Sequence, residues 1–322
     1  MKNHSPQRLI ETLPNYLNEL HASVSKNTAG EVATYIPELA KANPESFSIA
    51  VRLTNGASVS VGDASTAFSL QSISKPFVYG LALSELGEER VHQRVGVEPT
   101  GNAFNSIIEL EEESHLPYNP MINSGAIAVS SLIPGTDPED RLQKIRRFLS
   151  ECAGKELHVD DAIFQSEKLT AHRNRAIANL MRHFNVIADP IEESLALYFK
   201  QCSLSLNSTD LATMAATLAN NGTNPATGRL VLASPHLQSV LSLMFTCGMY
   251  DSVGEWAFKV GIPARSGVCG GILGVVPGVM GIATYSPRLD SKGHSVRGLE
   301  VFKRMSHDLG LSLFTMGNNE AL

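Results

Sequence analysis

Ser72 and Lys75 have types and a spacing that suit covalent catalysis, within the tetrapeptide Ser72-Ile73-Ser74-Lys75. A serine and a lysine three residues apart at the start of a helix lie on one face, within reach of each other. The first helical turn presents unpaired N–H groups and positive potential, which together with burial favour a neutral lysine amine. Such an amine can accept the serine proton and make the hydroxyl a nucleophile toward an acyl carbon.

A second copy of this pattern, Ser23-Val24-Ser25-Lys26, shows that the tetrapeptide alone does not select a site. Ser23 lies in a polar stretch that ends in Asn27-Thr28. Ser72 instead opens an apolar helical pattern directly after a predicted strand. The context therefore favours Ser72.

Patterns for other chemistries are missing from the sequence. The ten histidines form no His-x-His or His-Glu-x-x-His pattern, and no phosphate-binding Gly-x-x-x-x-Gly-Lys-Ser/Thr loop occurs. The spacing of Cys152, Cys202, Cys247 and Cys269 fits neither a zinc site nor a redox pair. A Ser-His-Asp triad stays open but lacks a Gly-x-Ser-x-Gly elbow. We expect neither a metal nor an organic cofactor.

Composition predicts a soluble globular protein. The 322 residues are 43% hydrophobic and carry a net charge of −6, which provides no basic field for nucleic acid or an anionic membrane. The start of the chain has no continuous hydrophobic region, so no secretory signal is expected. Sparse, unpaired cysteines favour a reducing compartment. These features predict a cytoplasmic protein.

The uncharged run 266–287 is long enough to span a bilayer, but it contains six glycines and breaks at Val276-Pro277-Gly278. Two buried strands joined by a tight turn explain it better than a membrane helix.

Hydrophobic periodicity outlines the elements that must position the site. Helical spacing marks 7–23, 138–153, 209–220 and about 296–312, and the middle of the chain from about 75 to 250 is predicted to be mostly helical. Asp137 and Gly154 are cap and stop signals for the second of these helices. Alternation over 47–63 around Asn55-Gly56 predicts a hairpin, and further strands are predicted over 256–260, 268–276 and 279–285.

This order predicts an α+β fold in one unit, 1–322. Strands from both chain ends, about 25–72 and 251–322, would form one mainly antiparallel sheet. A helical part, about 73–250, would be inserted between them. The ligand site is expected in the cleft between the two parts.

Longer motifs resemble the serine-dependent glutaminase family, in register from about residue 30 to 305. They are Tyr35-Ile36-Pro37-Glu38-Leu39-Ala40, Gln71-Ser72-Ile73-Ser74-Lys75-Pro76, Tyr118-Asn119-Pro120-Met121-Ile122-Asn123-Ser124-Gly125-Ala126-Ile127, Phe164-Gln165-Ser166-Glu167, Arg173-Asn174, Tyr198-Phe199-Lys200-Gln201-Cys202-Ser203 and Tyr250-Asp251-Ser252-Val253-Gly254-Glu255.

The resemblance implies hydrolysis of L-glutamine to L-glutamate and ammonia. It also implies the fold of serine β-lactamases and of the DD-peptidases among penicillin-binding proteins, and a homodimer or homotetramer. By the family pattern Ser72 is the nucleophile, Lys75 its base and Tyr250 a proton relay near the leaving ammonia. The amides of Ser72 and Val268 would form the oxyanion hole. The amino-acid head of the substrate would be held by Tyr35, Asn123, Glu167, Asn174 and Tyr198.

Physical chemistry agrees with these roles. Glu167 supplies an anion for the substrate ammonium, while Asn123, Asn174 and the tyrosines can donate hydrogen bonds to its carboxylate. An oxyanion donor at Val268 needs only the backbone amide.

Each residue also has a plainer interpretation. Glu167 could be a solvated helix charge, and Tyr198 a core residue with its hydroxyl at the surface. Asn174 could be surface polarity, Tyr35 the anchor of an extended segment, and Asn123 a helix cap. The order and spacing of the motifs favour the functional interpretation.

One residue departs from the family pattern. Ala264-Arg265-Ser266-Gly267 stands where the family usually has Ala-Lys-Ser-Gly. Arginine keeps the positive charge, which helps to keep Lys75 neutral, but it cannot release a proton. If the lysine shuttles protons, this enzyme should be slower; if it supplies only charge, the change is nearly silent. We expect a modest loss.

Two other functions remain as alternatives. A β-lactamase or peptidoglycan carboxypeptidase on the same fold would turn over nitrocefin, whereas a non-catalytic amino-acid-binding protein would release no ammonia from glutamine.

Overall fold

The computed structural model describes residues 6–101, 105–111 and 114–315. The helices are α1 (Pro6–Val24), α2 (Lys75–Leu86), α3 (Glu88–His92), α4 (Asn123–Leu132), α5 (Pro138–Ala153), α6 (Asp161–Thr170), α7 (His172–His183), α8 (Ile191–Cys202), α9 (Ser208–Ala219), α10 (Ser234–Cys247), α11 (Val253–Lys259) and α12 (Val296–Leu309). The strands are β1 (Ser48–Leu53), β2 (Ser58–Gly62), β3 (Phe68–Ser69), β4 (His158–Val159), β5 (Leu204–Leu206), β6 (Ala264–Ser266), β7 (Gly271–Val276) and β8 (Met280–Tyr285). Short 3₁₀ turns cover Leu39–Lys41, Gln71–Ser74, Ile108–Glu111 and Tyr250–Ser252.

The main sheet has five antiparallel strands in the order β2-β1-β8-β7-β6. Strand β1, from the first part of the chain, pairs with β8 from the last part, with Ala50 opposite Ala283. The predicted mixture of helices with an antiparallel sheet drawn from both chain ends is confirmed.

Side chains alternate between the two faces of this sheet because strand residues point to opposite sides in turn. Met280 and Ile282 pack on one face with α1 and α12. Ala283 and Tyr285 pack on the other face with α9, α2 and α5. A third apolar cluster joins α4, α6, α7 and α8. The helical part therefore has its own core beside the sheet.

Several predicted elements are confirmed by their signals. Asp137 accepts hydrogen bonds from the amides of Glu139 and Asp140 at the start of α5, and Gly154 ends that helix in the left-handed conformation. The Asn55-Gly56 hairpin joins β1 and β2. The uncharged run 266–287 contains the β7–β8 hairpin. No helix of the described ranges is long and apolar enough to cross a membrane.

Two strand predictions need correction, and one small sheet was not predicted. Residues 253–259 form helix α11 rather than a strand at 256–260. In a strand Trp256 and Phe258 would share one face, but Trp256 is buried and Phe258 is 91% exposed. Residues 268–270 form a turn before β7. A small sheet of order β3-β5-β4 was not predicted, since strands of two or three residues are too short to show a period.

Candidate active site

A strained turn carries Ser72 into the cleft between the sheet and the helices. Strand β3 pairs with β5, and the Leu70 amide donates to the Leu204 carbonyl at 2.8 Å. Gln71 then takes a positive φ of 48°, a conformation that is costly for a side chain with a Cβ. The 3₁₀ turn Gln71–Ser74 leads directly into α2 at Lys75.

The Lys75 amine is buried and donates two hydrogen bonds, to Asn123 Oδ1 at 2.7 Å and to the Met121 carbonyl at 3.3 Å. Burial holds the pKa of Lys75 well below its ordinary value, and the nearby Arg265 guanidinium lowers it further. A neutral amine has two N–H bonds and one lone pair. Because the two acceptors occupy both N–H bonds, the lone pair is left to accept a proton.

The Ser72 hydroxyl is hydrogen-bonded to the Tyr250 phenol. Within the part of the chain that the structure describes, no hydrogen bond joins Ser72 to Lys75. For Ser72 to give its proton to Lys75, as predicted, the hydroxyl must turn away from Tyr250 and toward Lys75.

Tyr250 lies in the 3₁₀ turn before α11, with a positive φ of 51°. Its hydroxyl donates to the Ser266 carbonyl at 3.0 Å, and the Arg265 guanidinium carbon lies 4.7 Å from the ring centroid. Burial raises the pKa of Tyr250, whereas Arg265 and the hydrogen bond with Ser72 act in the opposite direction. The phenol is thus held protonated between the Ser72 hydroxyl and the Arg265 cation.

Arg265 on β6 is fully buried and ties the site together through backbone carbonyls. Its guanidinium donates to the carbonyls of Ser72 at 2.9 Å, Met121 at 2.8 Å and Gly248 at 3.1 Å. None of the ion pairs among the described residues includes it. This side chain joins the turn that carries Ser72, the segment before α4 and the end of α10 while it supplies positive charge.

The residues expected to hold the substrate's amino-acid head surround a cavity of about 100 Å³ beside Ser72. Asn123 donates through Nδ2 to Asn174 Oδ1 at 2.9 Å, and the Tyr198 hydroxyl donates to Asn123 Oδ1 at 3.4 Å. The lining includes Tyr35, Ser72, Asn123, Glu167, Asn174, Tyr198 and Val268.

Glu167 on α6 is the acidic residue of this cavity. The residue is 6% exposed, and its Oε2 has no hydrogen-bond partner among the described residues. Burial raises the pKa of Glu167 to about 8, although a hydrogen bond with Gln71 and the proximity of Lys75 act to lower it. Because the carboxyl is buried, Glu167 is not a solvated helix charge. A buried carboxyl with one oxygen unbonded by the described residues suits a cationic ligand.

The plainer interpretations of Tyr198 and Asn123 do not fit the structure either. Tyr198 is 3% exposed, with its hydroxyl directed to Asn123 rather than to the surface. Asn123 does not cap α4, because its side chain contacts Lys75 and Asn174. Tyr35 is 54% exposed and lies where the small cavity meets a larger one of about 860 Å³, which Tyr250 and Val268 also line.

The amides expected in the oxyanion hole are available. Val268 lies in the turn before β7, and its amide is not a donor in the described backbone hydrogen bonds. The Ser72 amide belongs to the first turn of a helix, where no carbonyl of that turn can accept it.

Two residues near the site were not predicted as site residues. Gln71 contacts Glu167 and lines the cavity, and buried Gln201 donates to Ser74 Oγ at 2.9 Å, which in turn donates to the Gln71 carbonyl at 2.8 Å. Both belong to motifs that resemble the family. Only their position next to Ser72 and Cys202 could have singled them out.

The second Ser-x-x-Lys copy has no such setting. Ser23 and Lys26 are exposed at the end of α1, and Ser23 Oγ accepts a hydrogen bond from Arg304. The preference for Ser72 is therefore consistent with burial and with the surrounding groups.

Known proteins resemble this chain along nearly its whole length. A glutaminase of a Nostoc species is 53% identical over 307 residues, covering 94% of this chain and 92% of its own. A solved probable glutaminase, ybaS, has a TM-score of 0.91 at 40% identity and covers 94% of this chain and 98% of its own. A probable glutaminase from Bacillus subtilis, solved in complex with 6-diazo-5-oxo-L-norleucine, has a TM-score of 0.84 at 33% identity, covering 95% and 96%. The sequence profile of the glutaminase family matches residues 30–314, and the chain belongs to that family of enzymes.

Proposed function

We propose that this enzyme hydrolyses L-glutamine to L-glutamate and ammonia through a glutamyl ester of Ser72. The observation that carries the proposal is the small cavity that Ser72 and the buried carboxyl of Glu167 line together, the carboxyl with one oxygen that no described residue bonds. Glutamine presents an ammonium, a carboxylate and an amide, which such a set of groups can bind. Glu167 binds the ammonium, and Asn123, Asn174, Tyr35 and Tyr198 bind the carboxylate.

Acylation begins when the bound substrate turns the Ser72 hydroxyl toward the Lys75 lone pair. Ser72 Oγ forms a bond to the amide carbon as its proton passes to Lys75 Nζ, and the amides of Ser72 and Val268 stabilise the oxyanion. The C–N bond then breaks. Tyr250 passes a proton to the departing nitrogen, which leaves as ammonia, and is itself reprotonated from Lys75.

Deacylation is the same sequence with water as the nucleophile. Water adds to the ester carbon and gives up a proton toward Lys75, the bond to Ser72 Oγ breaks, and the proton returns to the serine oxygen. Free glutamate is released and the site returns to its starting state.

The proposal extends to fold, compartment and assembly. The antiparallel sheet from about 25–72 and 251–322, with helices from about 73–250 and a Ser-x-x-Lys helix start, supports a β-lactamase-like fold. The four cysteines are free and buried, which fits a cytoplasmic enzyme. Assembly as a homodimer or homotetramer is part of the same proposal, with the exposed surface of the last helices as its contact.

The direct test is covalent trapping. The glutamine analogue 6-diazo-5-oxo-L-norleucine should label Ser72, and Ser72→Ala should abolish both labelling and release of ammonia from glutamine. Ser23→Ala is the matched control, because it removes the serine of the second Ser-x-x-Lys copy and should leave both unchanged. Labelling that persists in Ser72→Ala would refute the assignment. Nitrocefin turnover would favour the β-lactamase alternative.

A further inference from the structure

His294 is a buried imidazole that the proposed mechanism does not use. It follows Gly293 in the segment between β8 and α12 and is 0% exposed. Its ring stacks on the Tyr250 ring, with centroids 5.2 Å apart and planes 24° from parallel. The residue therefore lies directly against the group proposed to relay the proton.

Tyr250 needs such support because its backbone is strained. A tyrosine with a φ of 51° persists only where tertiary contacts hold it. The Ser266 carbonyl and Arg265 contact the phenol from β6, and His294 contacts it from the segment that precedes α12.

The segment that carries His294 is itself anchored. The His294 amide donates to Asp290 Oδ1 at 2.9 Å, and the Asp290 amide donates to the His294 carbonyl at 2.8 Å. Lys292 lies 3.7 Å from the Asp251 carboxylate and donates to Ser252 Oγ at 3.2 Å. These contacts fix the imidazole relative to the turn that contains Tyr250.

The imidazole contributes its ring rather than its hydrogen bonds. Neither Nδ1 nor Nε2 has a hydrogen-bond partner in the described ranges. A cationic imidazole would be costly there, since it would be buried near the Arg265 cation. Burial lowers the pKa of His294, Arg265 and Lys292 lower it further, and Asp290 and Asp251 act in the opposite direction. The neutral ring is the form that packs on Tyr250.

We propose that His294 is a positioning residue for Tyr250, holding the phenol plane in line with Ser72 through ring stacking. This inference rests on the proposed function, because it assigns His294 to the proton relay of that reaction. It further requires that a planar apolar ring can replace the imidazole, since the two nitrogens bond to none of the described residues.

The test compares variants that keep or remove a ring. We expect His294→Phe to retain kcat within about threefold of the unsubstituted enzyme, because stacking survives. His294→Leu, which fills space without a plane, and His294→Gln should lose about tenfold to a hundredfold in kcat, since misplacing a catalytic group costs this much. KM for glutamine and Kd for L-glutamate should change less than about threefold, because the head-binding cavity is untouched.

Two results would overturn the inference. One is a kcat close to normal in His294→Leu or His294→Gln. The other is a His294→Phe variant that is folded by circular dichroism but as slow as His294→Leu. Parallel assays of Ser72→Ala keep this separate from the proposed function: absence of Ser72-dependent ammonia release refutes both, whereas Ser72-dependent activity indifferent to residue 294 refutes only the role of His294.

Discussion

At the scale of single residues, Glu167 is the group whose ionisation should control substrate affinity. Its pKa is raised to about 8 by burial, so below that pH the carboxyl of the free enzyme is mainly protonated. The substrate ammonium prefers the carboxylate. Affinity should therefore rise between about pH 6 and about pH 8, by up to about tenfold per pH unit, and then level off. Calorimetric Kd values for L-glutamine on Ser72→Ala measure this without turnover.

Glu167→Gln is the matched control for that profile. The amide keeps the size of the carboxyl but removes its charge, so affinity should fall by about tenfold or more and lose its pH dependence over this range. An affinity that does not change with pH in the protein with Glu167 intact would contradict the assigned role.

The structural and electrostatic role of Arg265 can be tested by the conservative substitution Arg265→Lys. Three carbonyls from separate segments accept its guanidinium hydrogen bonds, and a lysine ammonium cannot span all three. We expect Arg265→Lys to lower the free energy of unfolding by about 1–3 kcal/mol in urea titrations. Turnover should change by less than about tenfold, because the charge beside Lys75 is kept. A larger gain would mean that a proton-carrying lysine improves the site.

At the scale of elements, the approach of α4 to the preceding segment sets the position of Asn123. Gly125 lies in the first turn of α4, where an added Cβ would stand 2.0 Å from the Asn119 carbonyl oxygen. The backbone there must shift to admit any side chain. The Asn123 contacts with Lys75 and Asn174 would shift with it.

Gly125→Ala should therefore destabilise the protein by about 1–3 kcal/mol and raise KM for glutamine. Gly254→Ala is the control, because that glycine lies in α11 with nothing within 4 Å of an added Cβ. Thermal unfolding and steady-state kinetics of the two variants give the comparison. Equal behaviour of both would show that α4 does not need the close approach.

At the scale of the whole molecule, the site exists because distant parts of the chain meet in one cleft. Tyr35 comes from the segment after α1, Ser72 and Lys75 from the entry to α2, Glu167 from α6, and Tyr250 from the turn before α11. Arg265, on the edge strand β6, connects the turn that carries Ser72 with Met121 before α4 and with Gly248 after α10 through their carbonyls. The sheet and the helical part thus build the site jointly.

Local chemistry was sufficient for several predictions. The bounds of α5 follow from Asp137, Pro138 and Gly154, and the β1–β2 hairpin follows from Asn55-Gly56, because caps and turns depend on adjacent residues. Motif order predicted Tyr35, Asn123, Glu167, Asn174 and Tyr198 as site residues, and the structure places all five around one cavity. The prediction of strand at 256–260 was wrong, since five residues cannot distinguish alternation from one helical turn.

Tertiary structure decided what depends on contacts between distant residues. The sequence contained Ser72, Lys75 and Glu167 as residue types, but the buried amine with two acceptors and the raised pKa of the acid arise from desolvation by other segments. The stacking of His294 on Tyr250 joins residues 44 positions apart in sequence, and no local pattern encodes it. Propensity and motif order depend on neighbours along the chain, whereas charge state and reactive geometry depend on neighbours in space.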